Sequence, residues 1–193
     1  MVQNLSILNN YFYLKFKYFK KKFFFNSKEN YDVVIYDELF TKPIEECIPS
    51  SKKFYILKTR KLNFFLNYNF IRYLITYLLR KELLLLILMN GLKKGILRYG
   101  KDAIDAALIN QIKPKVIITN VDNNPRFGRL FLNFKDIRFI AIQNGCRSRW
   151  KASEGCINDI FLSFTSNEAI NLNRLGWEIN QHHTVGSLNA ARV

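Results

Sequence analysis

The sequence predicts an α/β fold, a doubly wound parallel sheet flanked by helices. Short apolar runs recur along the chain, and they are continuous rather than alternating. Helical patterns with their own stops separate them. A half-exposed strand alternates apolar and polar residues. A parallel strand covered on both faces needs apolar residues at consecutive positions.

The elements follow in order. Five runs read as strands: Val33–Tyr36, Phe54–Leu57, Val116–Thr119, residues 139–142 and residues 160–164. Residues 69–98 read as a long, mainly helical stretch broken near Asn90-Gly91. Ile104, Ala107, Leu108 and Ile112 recur at helical spacing, and Pro114 ends that helix just before a strand. Thr165 and Glu168 have the spacing of a capping box, ahead of Ala169, Leu172 and Leu175, with Gly176 in the stop position. Residues 83–89 carry no charge. They fall far short of the roughly 20 residues a membrane span needs, so the run reads as a buried segment. There is no internal repeat and no Ser/Pro-rich linker. The expected organisation is a basic aromatic arm over residues 1–30, an α/β unit over 31–187, and the start of a linker or second domain over 188–193.

Composition narrows the functional classes. Of 193 residues, 49% are hydrophobic, which excludes a disordered chain, and eight Gly with four Pro exclude collagen-like material. Three cysteines cannot build a disulfide framework, and Cys47, Cys146 and Cys156 lack zinc-site spacing, so a reducing compartment is the default. Thirty Lys and Arg against 15 Asp and Glu give a net charge of +15. Such a field attracts polyanions. The abundance of Lys, Asn, Ile and Phe also has the look of an AT-rich coding sequence, which raises Lys without functional demand. Nucleic acid is disfavoured as a partner, since no zinc-finger spacing, RNA-binding aromatic signature or basic heptad occurs.

The basic residues are unevenly placed. Lys15, Lys17, Lys20, Lys21, Lys22 and Lys28 interleave with nine aromatic residues between Tyr11 and Phe25. The lysines interrupt any span, and no cleavage site follows, so this is neither a membrane helix nor a signal peptide. Two readings stand: a segment lying on an anionic membrane surface, and a helix packed on the domain with its lysines in water.

In an open parallel sheet, ligands bind beyond the carboxyl ends of the strands. The residues there are Asp37 after the first run, Asp122, Asn123 and Asn124 after Val116–Thr119, and Gln143, Asn144, Gly145 and Arg147 after residues 139–142. Carboxamides and a carboxylate hold sugar hydroxyls directionally, Gly145 admits a close approach, and Arg147, Arg149 and Lys151 suit phosphate. Either loop alone is as well explained by turn chemistry. Both together on one sheet favour a site. Asp122 is the candidate base, and its alternative role is a turn or helix cap leading into Pro125. His182 and His183 are adjacent, so on a strand they face opposite ways and do not share a metal. Cys146 beside Arg147 is a weak candidate nucleophile. No Walker A loop is present and no GxGxxG follows the first strand, so neither a nucleotide cofactor of those classes nor a metal is expected.

One ordered set of segments resembles a known family. It comprises Asp32-Val33-Val34-Ile35-Tyr36-Asp37 behind the basic arm, Pro114-Lys115 with Val116–Thr119, Asp122-Asn123-Asn124, Ile142-Gln143-Asn144-Gly145, and Val185-Gly186-Ser187. The set is similar to the N-terminal half of bacterial surface-carbohydrate biosynthesis proteins with a glycosyltransferase-B (GT-B) architecture. These are distant relatives of the CDP-glycerol glycerophosphotransferases and of UDP-GlcNAc 2-epimerase. The resemblance implies a Rossmann-like acceptor-side domain acting in capsule or lipopolysaccharide synthesis. A second domain, expected beyond residue 187, would hold most of the donor contacts. It further implies a nucleotide-sugar donor as substrate, no cofactor, a glycan or lipid-linked acceptor, a C-terminal half-protein as partner, and a cytoplasmic location at the inner face of the membrane. In the glycerophosphotransferase relatives the turn at Asn144 carries a His; Asn cannot take a proton, which leaves Asp122 as the base on this side. Two other classes stay open: a non-catalytic module binding polyanions or a membrane surface, and an epimerase-like half.

Overall fold

The computed structural model describes residues 30–60, 68–145 and 156–187. The arm, the 146–155 segment with Arg147, Arg149 and Lys151, and the last six residues lie outside the described residues. Six strands form one sheet in the order β2-β1-β3-β4-β5-β6. They are β1 (Val33–Tyr36), β2 (Phe54–Leu57), β3 (Val116–Thr119), β4 (Arg138–Ile142), β5 (Ile157–Ser163) and β6 (Glu178–Thr184). Every pairing is parallel, which makes this an α/β Rossmann-like arrangement. Six described helices accompany them: α1 (Lys42–Cys47), α2 (Tyr68–Leu78), α3 (Lys81–Met89), α4 (Leu92–Ile112), α5 (Pro125–Phe131) and α6 (Asn167–Arg174).

The two faces of the sheet are covered unequally. Val34 and Tyr36 of β1, Ile117 of β3, Phe139 of β4 and Phe161 of β5 join one large core with α2, α4, α5 and α6. Phe139 is its hub. Its ring meets Phe127 edge-on at 5.3 Å between centroids, Phe131 at 5.8 Å, and Phe134 at 6.3 Å. On α4, Ala103, Ala106 and Ala107 are buried, and such small side chains allow a helix to approach the strands closely. On the other face a row in register, Ile56–Ile35–Ile118–Ile140–Ile160, crosses five strands. Ile44 and Ile48, from α1 and its end, pack on the β1 side of that face. Residues Ile118, Ile140 and Leu162 are therefore only partly buried, and β3 and the second half of β5 alternate in burial although their apolar residues do not.

Local chemistry sets the ends. Lys113 adopts a left-handed conformation (φ 52°) at the end of α4, just before Pro114. Asn124 caps α5 by accepting from the Arg126 N–H at 3.1 Å, with Pro125 in the first helical turn. Gly176 (φ +83°) closes α6 as its position suggests. The capping box does not form. Ser166 occupies the cap without a side-chain bond, and Thr165 contributes only its carbonyl, to the Glu168 N–H.

Three further features differ from expectation. The fifth strand begins at Ile157, because the buried polar pair Asn158-Asp159 extends it. The sixth strand was not among the expected runs: Glu178–Thr184 is mostly polar, as an exposed edge strand permits. The apolar run 83–89 is helical but not buried, since Leu84, Leu85, Leu88 and Met89 are all exposed. Only Ile87 is buried there, seated on Gly95 of α4, where a Cβ would lie 2.4 Å from the Ile87 carbonyl oxygen. Among the described residues no helix is long and apolar enough to cross a membrane.

Candidate functional site: the carboxyl rim of the sheet

The strand order reverses at β1, so the crevice between the carboxyl ends of β1 and β3 is where this topology places ligands. Since β1, β3 and β4 are parallel neighbours, the segments that follow them share one rim. Asp37, Asp122, Asn123, Asn124, Gln143, Asn144 and Gly145 therefore all lie along it. Their surroundings separate them into two groups.

The first group holds backbone in place. Asp37 sits at φ 89°, a left-handed conformation that Asp tolerates better than most residues. Its Oδ1 accepts from the Leu39 N–H at 3.0 Å and its Oδ2 from the Thr59 hydroxyl at 2.7 Å, so both oxygens brace the loop. Asn124 is spent on the α5 cap. Gln143 is buried; its Oε1 accepts from the Phe164 N–H at 2.8 Å and its Nε2 donates to the Gly145 carbonyl at 3.1 Å. It ties the end of β4 to the end of β5. Thr119 does the same between β3 and β1, donating to the Tyr36 carbonyl at 2.8 Å.

The second group is Asp122, Asn123 and Asn144. Asp122 is buried in the middle of the β3–α5 connection, Asn123 is half-buried beside it, and Asn144 is exposed above β4. The helix cap falls on Asn124 and not on Asp122, so one structural role weighed for Asp122 belongs to its neighbour. Gly145 is half-buried and has an ordinary backbone conformation.

Beneath the rim on the α4 side lies an ionic cluster that nothing in the strand-end residues signals. The Tyr36 hydroxyl donates to Asp105 Oδ2 at 3.1 Å, and Lys101 Nζ reaches Asp105 Oδ1 at 2.6 Å. Arg129 Nε donates to Asp102 Oδ2 at 2.7 Å, and Arg126 Nε lies 2.9 Å from Asp102 Oδ1. Two arginines three residues apart on α5 thus converge on Asp102, while Asp105, one turn further along α4, takes Lys101 and Tyr36. Burial pushes the Tyr36 phenol well above its ordinary range, and the Asp105 charge adds to that. Burial also raises both carboxyls; Arg129 and then Arg126 pull Asp102 back, and chiefly Lys101 pulls Asp105 back. Burial would lower the Arg126 guanidinium, but Tyr36, Asp102 and Asp105 beside it outweigh burial and raise it. The available signal was Lys101-Asp102-Ala103-Ile104-Asp105-Ala106-Ala107: charges set among alanines that face a core.

At the far end, His182 Nε2 lies 2.6 Å from the Ser163 hydroxyl, which itself donates to the Thr165 carbonyl at 2.7 Å. The hydroxyl has one proton and gives it to Thr165, so His182 Nε2 must be the donor in this pair. Ser163 is fully buried and is not activated as a nucleophile. His182 is half-buried with its ring stacked on Phe161, and His183 is exposed, in keeping with opposite facings. Among the described residues no group of three His, Cys, Asp or Glu is arranged to hold a metal. Cys47 is exposed, Cys156 is buried, and Cys146 lies outside the described residues.

A cavity of about 590 Å³ opens between α2, α3, α4 and α5, lined by Leu83, Leu86 and Ala106 with Arg80, Lys81 and Arg129. It is bounded by helices and not by the rim loops. No family model matches the chain, and no curated protein or solved structure shows significant similarity to it.

Proposed function

We propose that this chain is the acceptor-side Rossmann-like domain of a glycosyltransferase of bacterial surface polysaccharide biosynthesis. The observation that carries the reading is the common rim: Asp122, Asn123 and Asn144 follow adjacent parallel strands next to the switch point. Asn123 and Asn144 supply directional hydrogen bonds to acceptor hydroxyls. Asp122 takes the proton from the attacking hydroxyl as it bonds to the anomeric carbon of a nucleotide sugar, and the nucleoside diphosphate departs with the electrons of the broken C–O bond. Asp37, Asn124 and Gln143 hold the loops that position these groups. Arg147 is assigned to anion binding at the cleft. Donor binding falls to a separate second domain, and the acceptor is a glycan or a lipid-linked saccharide reached from the cytoplasmic side at the inner face of the membrane.

The test is incubation of the full-length protein with labelled UDP-sugars, with and without a membrane lipid extract as acceptor. Transfer that Asp122→Asn reduces by about 100-fold or more supports the assignment of the base. Sugar conversion without acceptor indicates an epimerase-like activity instead. A second reading is a non-catalytic module that binds polyanions through its charge. It is favoured by the fact that Asp37, Asn124 and Gln143 already have backbone partners. Function controlled by Lys20, Lys21 and Lys22 and indifferent to Asp122 would select it.

A further inference from the structure

A nine-residue helix with apolar residues all round is expected at the centre of a protein. Helix α3 has seven in succession, residues 83–89, yet it lies on the surface. Leu88 is 62% exposed and Met89 82%. Leu84 and Leu88 form one row along it, and Leu85 and Met89 the next. The apolar surface continues on both sides. Tyr68, Ile71, Ile75 and Leu79 make an exposed stripe along α2 and its end, and Leu92 and Ile96 extend it onto the first turns of α4. Exposed apolar side chains scattered singly need no explanation, but exposed apolar rows on three consecutive helices that pack on one another point to an interaction surface.

The charge around the patch identifies what covers it. Between residues 68 and 98 the sequence has six basic residues, Arg72, Arg80, Lys81, Lys93, Lys94 and Arg98, and a single acid, Glu82, while Lys101 beyond them is taken up by Asp105. Arg72, Arg80, Lys81 and Lys93 are exposed. Two copies of this chain facing each other here would oppose like charges on molecules that each carry +15. An acidic bilayer meets both requirements at once, since it takes apolar side chains at the acyl boundary and Lys and Arg at the headgroups. We propose that α2, α3 and the first turns of α4 form a docking face for an anionic lipid bilayer. The face is built from residues 68 to 96 alone, and the proposal stands apart from the transferase reading.

Flotation of the full chain with vesicles tests it. Phosphatidylglycerol-containing vesicles are expected to carry the protein, and pure phosphatidylcholine vesicles to carry much less. Leu84→Glu with Leu88→Glu should lower the partition at least about tenfold, because two exposed leucines lose their apolar burial and two acids face the anionic surface. Both positions are exposed, and circular dichroism melts of the variant verify its fold. If that variant alters folding, Met89→Glu alone, at the most exposed site, takes its place. Unchanged binding by a folded variant, with binding abolished by Lys20→Ala, Lys21→Ala and Lys22→Ala together, would assign the lipid contact to the arm and overturn the proposal. A concentration-dependent dimer that Leu88→Glu dissociates, with no lipid binding, would overturn it in favour of a second copy.

Discussion

Tyr36 contributes to the fold through its hydroxyl as well as its ring. The ring packs on Phe127 at 5.5 Å, and the hydroxyl is one of the two described donors that reach Asp105. Tyr36→Phe is expected to cost about 1–3 kcal/mol, read from urea unfolding, because a buried carboxylate loses a donor. The phenol holds its proton more tightly folded than unfolded, through burial first and the Asp105 charge second. Its contribution is therefore complete below the ordinary tyrosine range and is lost as pH rises above about 10. A titration followed at 295 nm should show this phenol ionising only when the chain unfolds, and Tyr36→Phe should remove that late component. Residue-level legibility follows the same physics. Asp37 and Gln143 stand at strand ends, where sequence suggests a ligand, but buried backbone N–H groups claimed their oxygens first. For Asp102 and Asp105 the signal was indirect, charges set among core-facing alanines, because an acid within a helix is ordinarily in water and the Arg129 that binds Asp102 lies 27 residues away.

At the scale of elements, continuous apolar runs identified β1 to β4 closely: β1, β3 and β4 are interior strands with little use for polar residues, and β2, though it stands at an edge, keeps four apolar residues in register with β1. β6 was illegible because its residues are mostly exposed at the far edge, so that its sequence follows hydration rather than packing. The break between α3 and α4 was readable at Asn90-Gly91, where Gly91 takes φ 76° and the Asn90 side chain donates to the Leu86 carbonyl at 2.8 Å, whereas the break between α2 and α3 had no such signal. The placement of α3 was not, because seven apolar residues signal burial and say nothing about what buries them. Gly128 is where α5 touches β5. A Cβ there would meet the Ile157 carbonyl oxygen at 2.5 Å. Gly128→Ala should destabilise by about 1–3 kcal/mol, since backbone yields less readily than a side chain. Asn124→Ala, which removes the cap of the same helix, should cost about 1 kcal/mol. Thermal melts of both variants check these values.

For the whole molecule, the order β2-β1-β3-β4-β5-β6 makes a graded structure with buried strands at the centre and an exposed edge. Amide hydrogen exchange should find the slowest amides in β1 and β3, near the limit set by global unfolding. Those of β6 should exchange by local opening, orders of magnitude faster. Equal protection across the sheet would contradict this gradient. Helix α4 is 21 residues long, about 31 Å, while the strands it crosses have four or five residues and span roughly 13–17 Å. Its carboxyl half is clamped in the core and its amino half projects towards α3. A beam fixed at one end and loaded at the other delivers its bending to the clamp, and the clamp of α4 begins with the buried Tyr99 and the turn after it that carries Asp102 and Asp105.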